Sequence, residues 1–230
     1  MIEEFQAAFE VFQRDIYPDG GSVMCSLHES FNSLDGDRHN CLGCNLADAT
    51  SWIHNYLGRF HEFTDVSEDY TFYLLRLYLL VERVYVVFDV ISLPLEYRMR
   101  HFAVLQDVHK WANFIKHPKA FFLAHHPQYA FEGMADFDPA KYSLVIDQAF
   151  VNEFYSGPDH NKKLWDKLCN QTNIAVAYPH PVALTERYCE ALHHFIAVIR
   201  ENKVYREILN VRTTYEHYFT RPDAQSTPTA

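Results

Sequence analysis

Residues 70–91 form a long run dense in Leu, Val, Tyr and Phe, which constrains the fold more than any other part of the sequence. Four charged side chains interrupt it: Arg76, Glu82, Arg83 and Asp89. Because such charges would be costly in the hydrocarbon of a bilayer, the run predicts a buried helix of a soluble protein. We expect Arg76, Glu82 and Arg83 to form buried ion pairs within the protein.

Helical patterns flank this run on both sides. Predicted helices cover residues 2–16, about 46–60, 67–91, 94–117, 161–170, from about 182 onward, and 203–218. Three short apolar runs predict short strands: 120–124, 144–146 and 174–178. The predicted fold class is therefore mainly α, with a small β element after the fourth helix.

The length of 230 residues fits one domain. We expect a single helical domain over residues 1–220, in which residues 119–180 form a mixed region and the helices of 182–218 close the chain. Residues 221–230, which contain Pro, Ser and Thr, predict a disordered tail.

The formal net charge of −10 is unevenly placed. Residues 1–75 hold 13 acidic and 3 basic side chains, whereas residues 76–230 hold 17 of each. The overall charge argues against unspecific binding of duplex nucleic acid, which needs a broad basic face. Residues 96–119 are a local exception, with 5 basic and 2 acidic side chains. An acidic first third beside a basic helix would also suit self-association or a basic partner.

Several absences narrow the class of protein. The N-terminus has neither a basic start nor a long apolar run, so no signal peptide is predicted. Five cysteines in such a chain favour reduced thiols or metal ligands and a cytoplasmic location. The sequence contains no phosphate-binding Gly-rich loop, no G-x-S-x-G elbow and no dinucleotide fingerprint, which argues against common nucleotide-hydrolysing and acyl-transfer enzymes.

Residues 104–118 read as the last turns of an amphipathic helix that Pro118 ends. One apolar stripe contains six residues: Val104, Leu105, Val108, Trp111, Ala112 and Ile115. His109, Asn113 and His117 are spaced four residues apart on a different face, with Lys110 nearby. A base, an amide and a cation at a helix end are groups that could handle a phosphate.

The apolar-rich helix followed by a helix ending in Asn-Phe-Ile-Lys-His resembles the HEPN (higher eukaryotes and prokaryotes nucleotide-binding) family over residues 45–118. The family signature is an Arg a few residues before a His. The positions offered by that spacing before His117 are Ala112 and Lys110, so the signature Arg is replaced. The resemblance implies a helical bundle core and a homodimer. It also implies a metal-independent endoribonuclease, or an inactive relative, in a toxin–antitoxin or phage-defence setting.

The resemblance also implies catalytic roles for three residues. A neutral His117 would remove the proton from an RNA 2′-hydroxyl, Lys110 would offset the charge on the phosphorane, and Asn113 would orient a phosphate oxygen. A lysine lacks the bidentate fork of arginine. Either the nuclease is weakened, another Arg supplies the fork, or catalysis has been lost. In the absence of catalysis, His117 would instead cap the C-terminus of its helix, where a cationic side chain interacts favourably with the helix macrodipole.

Cys25-Ser-Leu-His28 and Cys41-Leu-Gly-Cys44 form two closely spaced pairs joined by a polar loop, as a tetrahedral structural zinc site requires. His39 competes as a ligand. Cys41 and Cys44 could instead be small buried residues, with Cys25 and His28 incidental, or could form a Cys-x-x-Cys redox pair. With zinc bound, the alternative function is a non-enzymatic, zinc-stapled helical module that binds another protein.

A second possible metal site, built mainly from histidines, is a further interpretation of the sequence. His125, His126 and His180 could, together with His117, form a histidine cluster that holds Fe or Mn with Asp147 and Glu153.

Overall fold

The computed structural model describes residues 2–30, 42–116, 124–125, 145–147, 174–176 and 180–210. Seven α-helices lie in this part of the chain: α1 (Ile2–Asp15), α2 (Leu42–Leu57), α3 (Val66–Val90), α4 (Leu95–His101), α5 (Ala103–Lys116), α6 (Pro181–Glu201) and α7 (Lys203–Leu209). Three 3-10 helices occupy Pro18–Gly20, Val23–Ser30 and Phe60–Glu62. The mainly α fold class is confirmed.

Three short strands form a small antiparallel sheet in the order β1 (Ala124–His125), β2 (Val145–Asp147) and β3 (Ile174–Val176). Ala124 pairs with Ile146, and Ile146 pairs with Ala175 on its other side. The strands overlap the three apolar runs noted in the sequence. The predicted helix at 161–170 and the tail at 221–230 lie outside the described residues.

Helix α3 is the central element of the bundle, and eight of its side chains have no exposed surface: Tyr73, Leu74, Leu77, Leu80, Val81, Val84, Val87 and Phe88. It packs against α2 and α5, while α6 packs against α1 and α5. Asp65 caps the N-terminus of α3 by accepting a hydrogen bond from the Glu68 amide at 2.9 Å. This cap lies two residues before Ser67, where the sequence predicted the start of the helix. Burial of this stripe supplies the hydrophobic stabilisation of the core.

Buried hydroxyl groups join α3 to α6. The Tyr73 and Thr185 hydroxyls are hydrogen-bonded to each other, and Thr185 also donates to the Pro181 carbonyl at 2.7 Å. The Tyr188 hydroxyl donates to the Leu77 carbonyl at 3.1 Å. Because buried polar groups are costly when unpaired, these bonds fix the register of the two helices.

The fourth predicted helix, 94–117, is two helices. The chain breaks at Phe102, between α4 and α5, where the backbone has φ −125° and ψ 30°. The Phe102 side chain is almost fully buried, with its ring centroid 4.7 Å from that of Phe88. The interruption of the helix at Phe102 directs this ring toward the core. The sequence has no Pro or Gly at this position that would have predicted the interruption.

The charges of α3 differ from the expectation. Arg76, Glu82 and Arg83 are half-buried rather than buried. Arg83 donates to the Asn45 side chain at 2.8 Å and lies over the Trp52 ring, 5.0 Å from its centroid. The prediction of buried ion pairs is therefore wrong, because these side chains lie at the border of the core. No helix among the described residues is long and apolar enough to cross a membrane.

Candidate functional site

A polar cluster lies where α5 packs against α3. Nε2 of His109 is 3.2 Å from a carboxylate oxygen of Glu82, and the Asn113 amide nitrogen is 2.9 Å from His109 Nδ1. The four-residue spacing of His109 and Asn113 on α5 places both beside α3. All three side chains are half-buried. We call Glu82, His109 and Asn113 the α3 edge cluster.

The Asn113 amide nitrogen lies near both ring nitrogens of His109, 2.9 Å from Nδ1 and 3.3 Å from Nε2. If the Asn113 amide donates to Nδ1, then Nδ1 bears the lone pair and Nε2 bears the proton that Glu82 accepts. The Glu82 carboxylate thus orients the His109 ring, as carboxylates orient catalytic and metal-ligating histidines. A substrate hydroxyl could replace Asn113 at Nδ1 and give up its proton there.

Aromatic rings and a cation surround the α3 edge cluster. The ring centroids of Tyr78 and Tyr85 are 5.5 and 5.8 Å from that of His109. Burial, assisted by the charge of Glu82, raises the pKa of Tyr85 to about 12, so its hydroxyl stays protonated at neutral pH. Lys116, in the last turn of α5, donates to the Tyr78 hydroxyl at 3.0 Å and lies over its ring. This edge therefore presents a base, two phenol rings and a cation.

A second polar cluster lies at the opposite edge of α5, against α6. Lys110 Nζ is 3.4 Å from one oxygen of Asp107, and Arg187 Nη2 is 2.9 Å from the other. Lys110 also lies 5.9 Å from the centroid of the Trp111 ring. One carboxylate thus holds two cations that come from different helices. We call Asp107, Lys110 and Arg187 the α6 edge cluster.

The three residues predicted to carry catalysis are placed as follows. Asn113 belongs to the α3 edge cluster and Lys110 to the α6 edge cluster, so their hydrogen bonds run to different neighbours. His117 lies outside the described residues. Its catalytic role, like those of Lys110 and Asn113, stays a prediction.

The predicted zinc ligands fall on two packed segments. Cys25 is exposed in the 3-10 helix Val23–Ser30, which packs against α2, and Cys44 is half-buried in the first turns of α2. The Thr50 hydroxyl of α2 donates to the Ser22 hydroxyl at 2.6 Å and holds the segments together. The His28 side chain and Cys41 lie outside the described part, in which no three metal-ligating side chains are grouped.

His180, the one residue of the second predicted metal cluster whose side chain is described, precedes α6. Its Nε2 is 3.3 Å from a carboxylate oxygen of Glu4 on α1. This contact joins the starts of two helices that pack together. Iron or manganese binding at His180 stays a prediction, because the side chains of the other predicted ligands lie outside the described residues.

Another histidine pair joins α4 to α6. The rings of His101 and His194 are stacked with centroids 5.1 Å apart, and the Tyr97 hydroxyl is 3.0 Å from His194 Nε2. Burial lowers the pKa of His194, and the neighbouring His101 lowers it further. Protonating both rings would bring two cations together.

Comparison with protein-family models, with curated proteins and with solved structures found no match for this chain. The residues that border α5 are therefore the basis for inferring a function. Sequence reasoning missed Glu82 and Arg187 as members of the two edge clusters. Their identities alone give no signal, since α3 and α6 contain several other charged side chains.

Proposed function

We propose that this protein is a HEPN-like endoribonuclease that cuts RNA without a metal ion at the polar side of α5. The observation that carries the proposal is the α3 edge cluster, in which the Glu82 carboxylate orients the His109 ring and the Asn113 amide contacts that ring. A carboxylate-oriented imidazole is a common form of general base. Lys110 and Lys116 add the positive charge that a phosphate substrate needs.

The proposed reaction is a transesterification. A neutral histidine takes the proton of the 2′-hydroxyl, the 2′-oxygen bonds to the adjacent phosphorus, and the bond from phosphorus to the 5′-oxygen breaks. The 5′-oxygen takes a proton from water and leaves as a hydroxyl, and the other fragment ends in a 2′,3′-cyclic phosphate. Lys110 offsets the charge of the phosphorane and Asn113 donates a hydrogen bond to a phosphate oxygen. His117, as inferred from the sequence, and His109, beside Glu82, are the two candidate bases.

The test is cleavage of a mixed RNA pool by the purified protein, with and without EDTA. Cleavage should survive EDTA and yield cyclic phosphate ends. The variant that removes the base, His117→Ala or His109→Ala, should lose about 10²- to 10⁴-fold in rate. His61→Ala is the matched control. His61, like His109, lies near a carboxylate oxygen, that of Glu62 at 3.7 Å, but it belongs to neither edge cluster.

Three results would contradict the proposal. Equal cleavage by all four proteins would assign the activity to a contaminant or another site. Loss of cleavage in EDTA would indicate a metal-dependent reaction. If none of the four proteins cuts RNA, the protein would instead be an inactive relative that acts as a partner in a regulatory pair. A homodimer, a cytoplasmic location and a toxin–antitoxin or phage-defence setting belong to the proposal through the family resemblance alone.

A second candidate function is a zinc-stapled helical module that binds another protein. It is supported by the packing of the segment that carries Cys25 and His28 against the helix that carries Cys44. Zinc at these residues and Cys41 would staple the polar loop between them. Metal analysis should then find one zinc per chain, lost in Cys44→Ser and retained in Cys189→Ser, the matched buried cysteine. A metal-free wild-type protein, purified without chelator, would exclude this candidate.

A further inference from the structure

We infer that Lys110 and Arg187 together form a binding site for a backbone phosphate of single-stranded RNA, which Asp107 occupies in the absence of RNA. The inference rests on the proposed function, since it names the residue that supplies the arginine fork missing from the sequence signature. Arg187 belongs to α6, and its Nη2 lies 2.9 Å from the same carboxylate that Lys110 contacts at 3.4 Å. Both cations therefore already converge on one anionic group.

The chemistry of the α6 edge cluster favours exchange of that anion. Two cations and one carboxylate leave a formal charge of +1 in a protein whose net charge is −10. Arg187 is 53% exposed, so solvent and ligands can reach the guanidinium. Its planar fork carries five N–H donors and matches phosphate oxygens, whereas Asp107 engages it through Nη2.

The position of the cluster suits a strand bound at α5. Asp107 and Lys110 lie one helical turn apart, on the same helix as His109 and Asn113 of the α3 edge cluster. An RNA strand held by Lys110 and Arg187 would have to cross α5 to reach the candidate base His109, which lies at the opposite edge of this helix. In this arrangement Arg187 contacts the substrate phosphate directly, and Asp107 competes with that phosphate for both cations.

Competition gives the two kinds of substitution opposite effects on RNA affinity. Arg187→Gln removes a charge-assisted contact and should weaken binding about 10-fold or more. It should also make the dependence of log affinity on log salt shallower by about 0.7, the value for one phosphate contact on a single strand. Asp107→Asn frees both cations and should tighten binding several-fold. Arg187→Lys keeps the charge without the fork and should fall between wild type and Arg187→Gln.

The probe is a fluorescein-labelled RNA oligonucleotide with 2′-O-methyl riboses, which binds but cannot be cut because its 2′-hydroxyls are blocked. Affinity is read from fluorescence anisotropy over a range of salt concentrations. Arg59→Gln is the matched control, since Arg59 is 58% exposed and 3.8 Å from the carboxylate of Glu62. Its affinity should stay within twofold of wild type. Thermal unfolding of each variant checks that the fold is intact.

The outcomes separate this inference from the proposed function. Unchanged affinity in Arg187→Gln, or weaker binding in Asp107→Asn, overturns the inference even if the protein cuts RNA. Absence of binding by the wild-type protein also overturns it. The predicted pattern of affinities in a protein that cuts no RNA supports the site and rejects the nuclease.

Discussion

Replacing Arg98 with alanine is expected to destabilise the protein by about 3 kcal/mol, because this side chain of α4 closes the C-terminal end of α3. Helix α3 ends in a Schellman motif, in which the Leu93 amide donates to the Phe88 carbonyl at 2.8 Å and the Ser92 amide to the Asp89 carbonyl at 3.0 Å. Ser92 has φ 52°, a left-handed conformation that a side chain disfavours. The motif therefore depends on added support.

Arg98 provides that support through three hydrogen bonds. Nε donates to the Leu93 carbonyl at 2.7 Å, Nη2 to the Phe88 carbonyl at 2.8 Å, and Nη1 to the Asp89 carboxylate at 2.6 Å. The Arg98 side chain is 20% exposed, so its two bonds to carbonyls are largely shielded from water, and each should contribute about 1.5 kcal/mol. The Asp89 carboxylate is 51% exposed, so its ion pair should add less than about 1 kcal/mol.

The assay is thermal and urea unfolding of Arg98→Ala beside Arg100→Ala, the neighbouring exposed arginine of α4. A loss of about 3 kcal/mol corresponds to a melting temperature lower by roughly 6–12 °C for a chain of this size. Arg100→Ala should change the free energy of unfolding by less than about 0.5 kcal/mol. Asp89→Asn should lose less than about 1 kcal/mol, since it leaves both carbonyl bonds in place. Equal stability of the two arginine variants would refute the capping role.

Three further predictions concern the core and its titrating groups. Burial lowers the pKa of His54 and of His194 below the ordinary 6.5, so the stability that their neutral forms contribute is present above pH 6.5 and lost as the pH falls below it. The double variant His54→Gln/His194→Gln should lose less melting temperature between pH 7.5 and 5.5 than wild type, and an equal loss would reject this cause. Phe195→Ala empties a fully buried site between α3 and α6 and should cost about 3–5 kcal/mol in urea unfolding, so a cost below about 1 kcal/mol would show that the site collapses. Burial raises the pKa of the Cys189 thiol, which makes this thiol unreactive in the native protein. After treatment with a thiol reagent, mass spectrometry should find the exposed Cys25 labelled and Cys189 unlabelled, and rapid labelling of both would contradict the burial.

The elements that the sequence predicts well are those fixed by local periodicity and caps. Helix α3 lies within two residues of its predicted bounds because a long apolar pattern, acidic residues in the first turn and Ser-Leu-Pro after the end all agree. The break at Phe102 has no such local signal. It depends on the space that Phe88 and His194 leave for the buried ring, which is a property of the assembled bundle.

The same distinction explains what could be foreseen of the candidate site. The apolar stripe of α5 predicts which residues border the core, and His109, Asn113 and Lys110 are among them. A helix packed between two others has two such borders, and each border residue takes its partner from the helix that it faces. Glu82 and Arg187 became partners through the packing of α3 and α6 against α5. Residues that the sequence places together on one polar face, such as Lys110 and Asn113, therefore serve opposite edges, and an RNA strand would have to contact both edges to use them in one reaction.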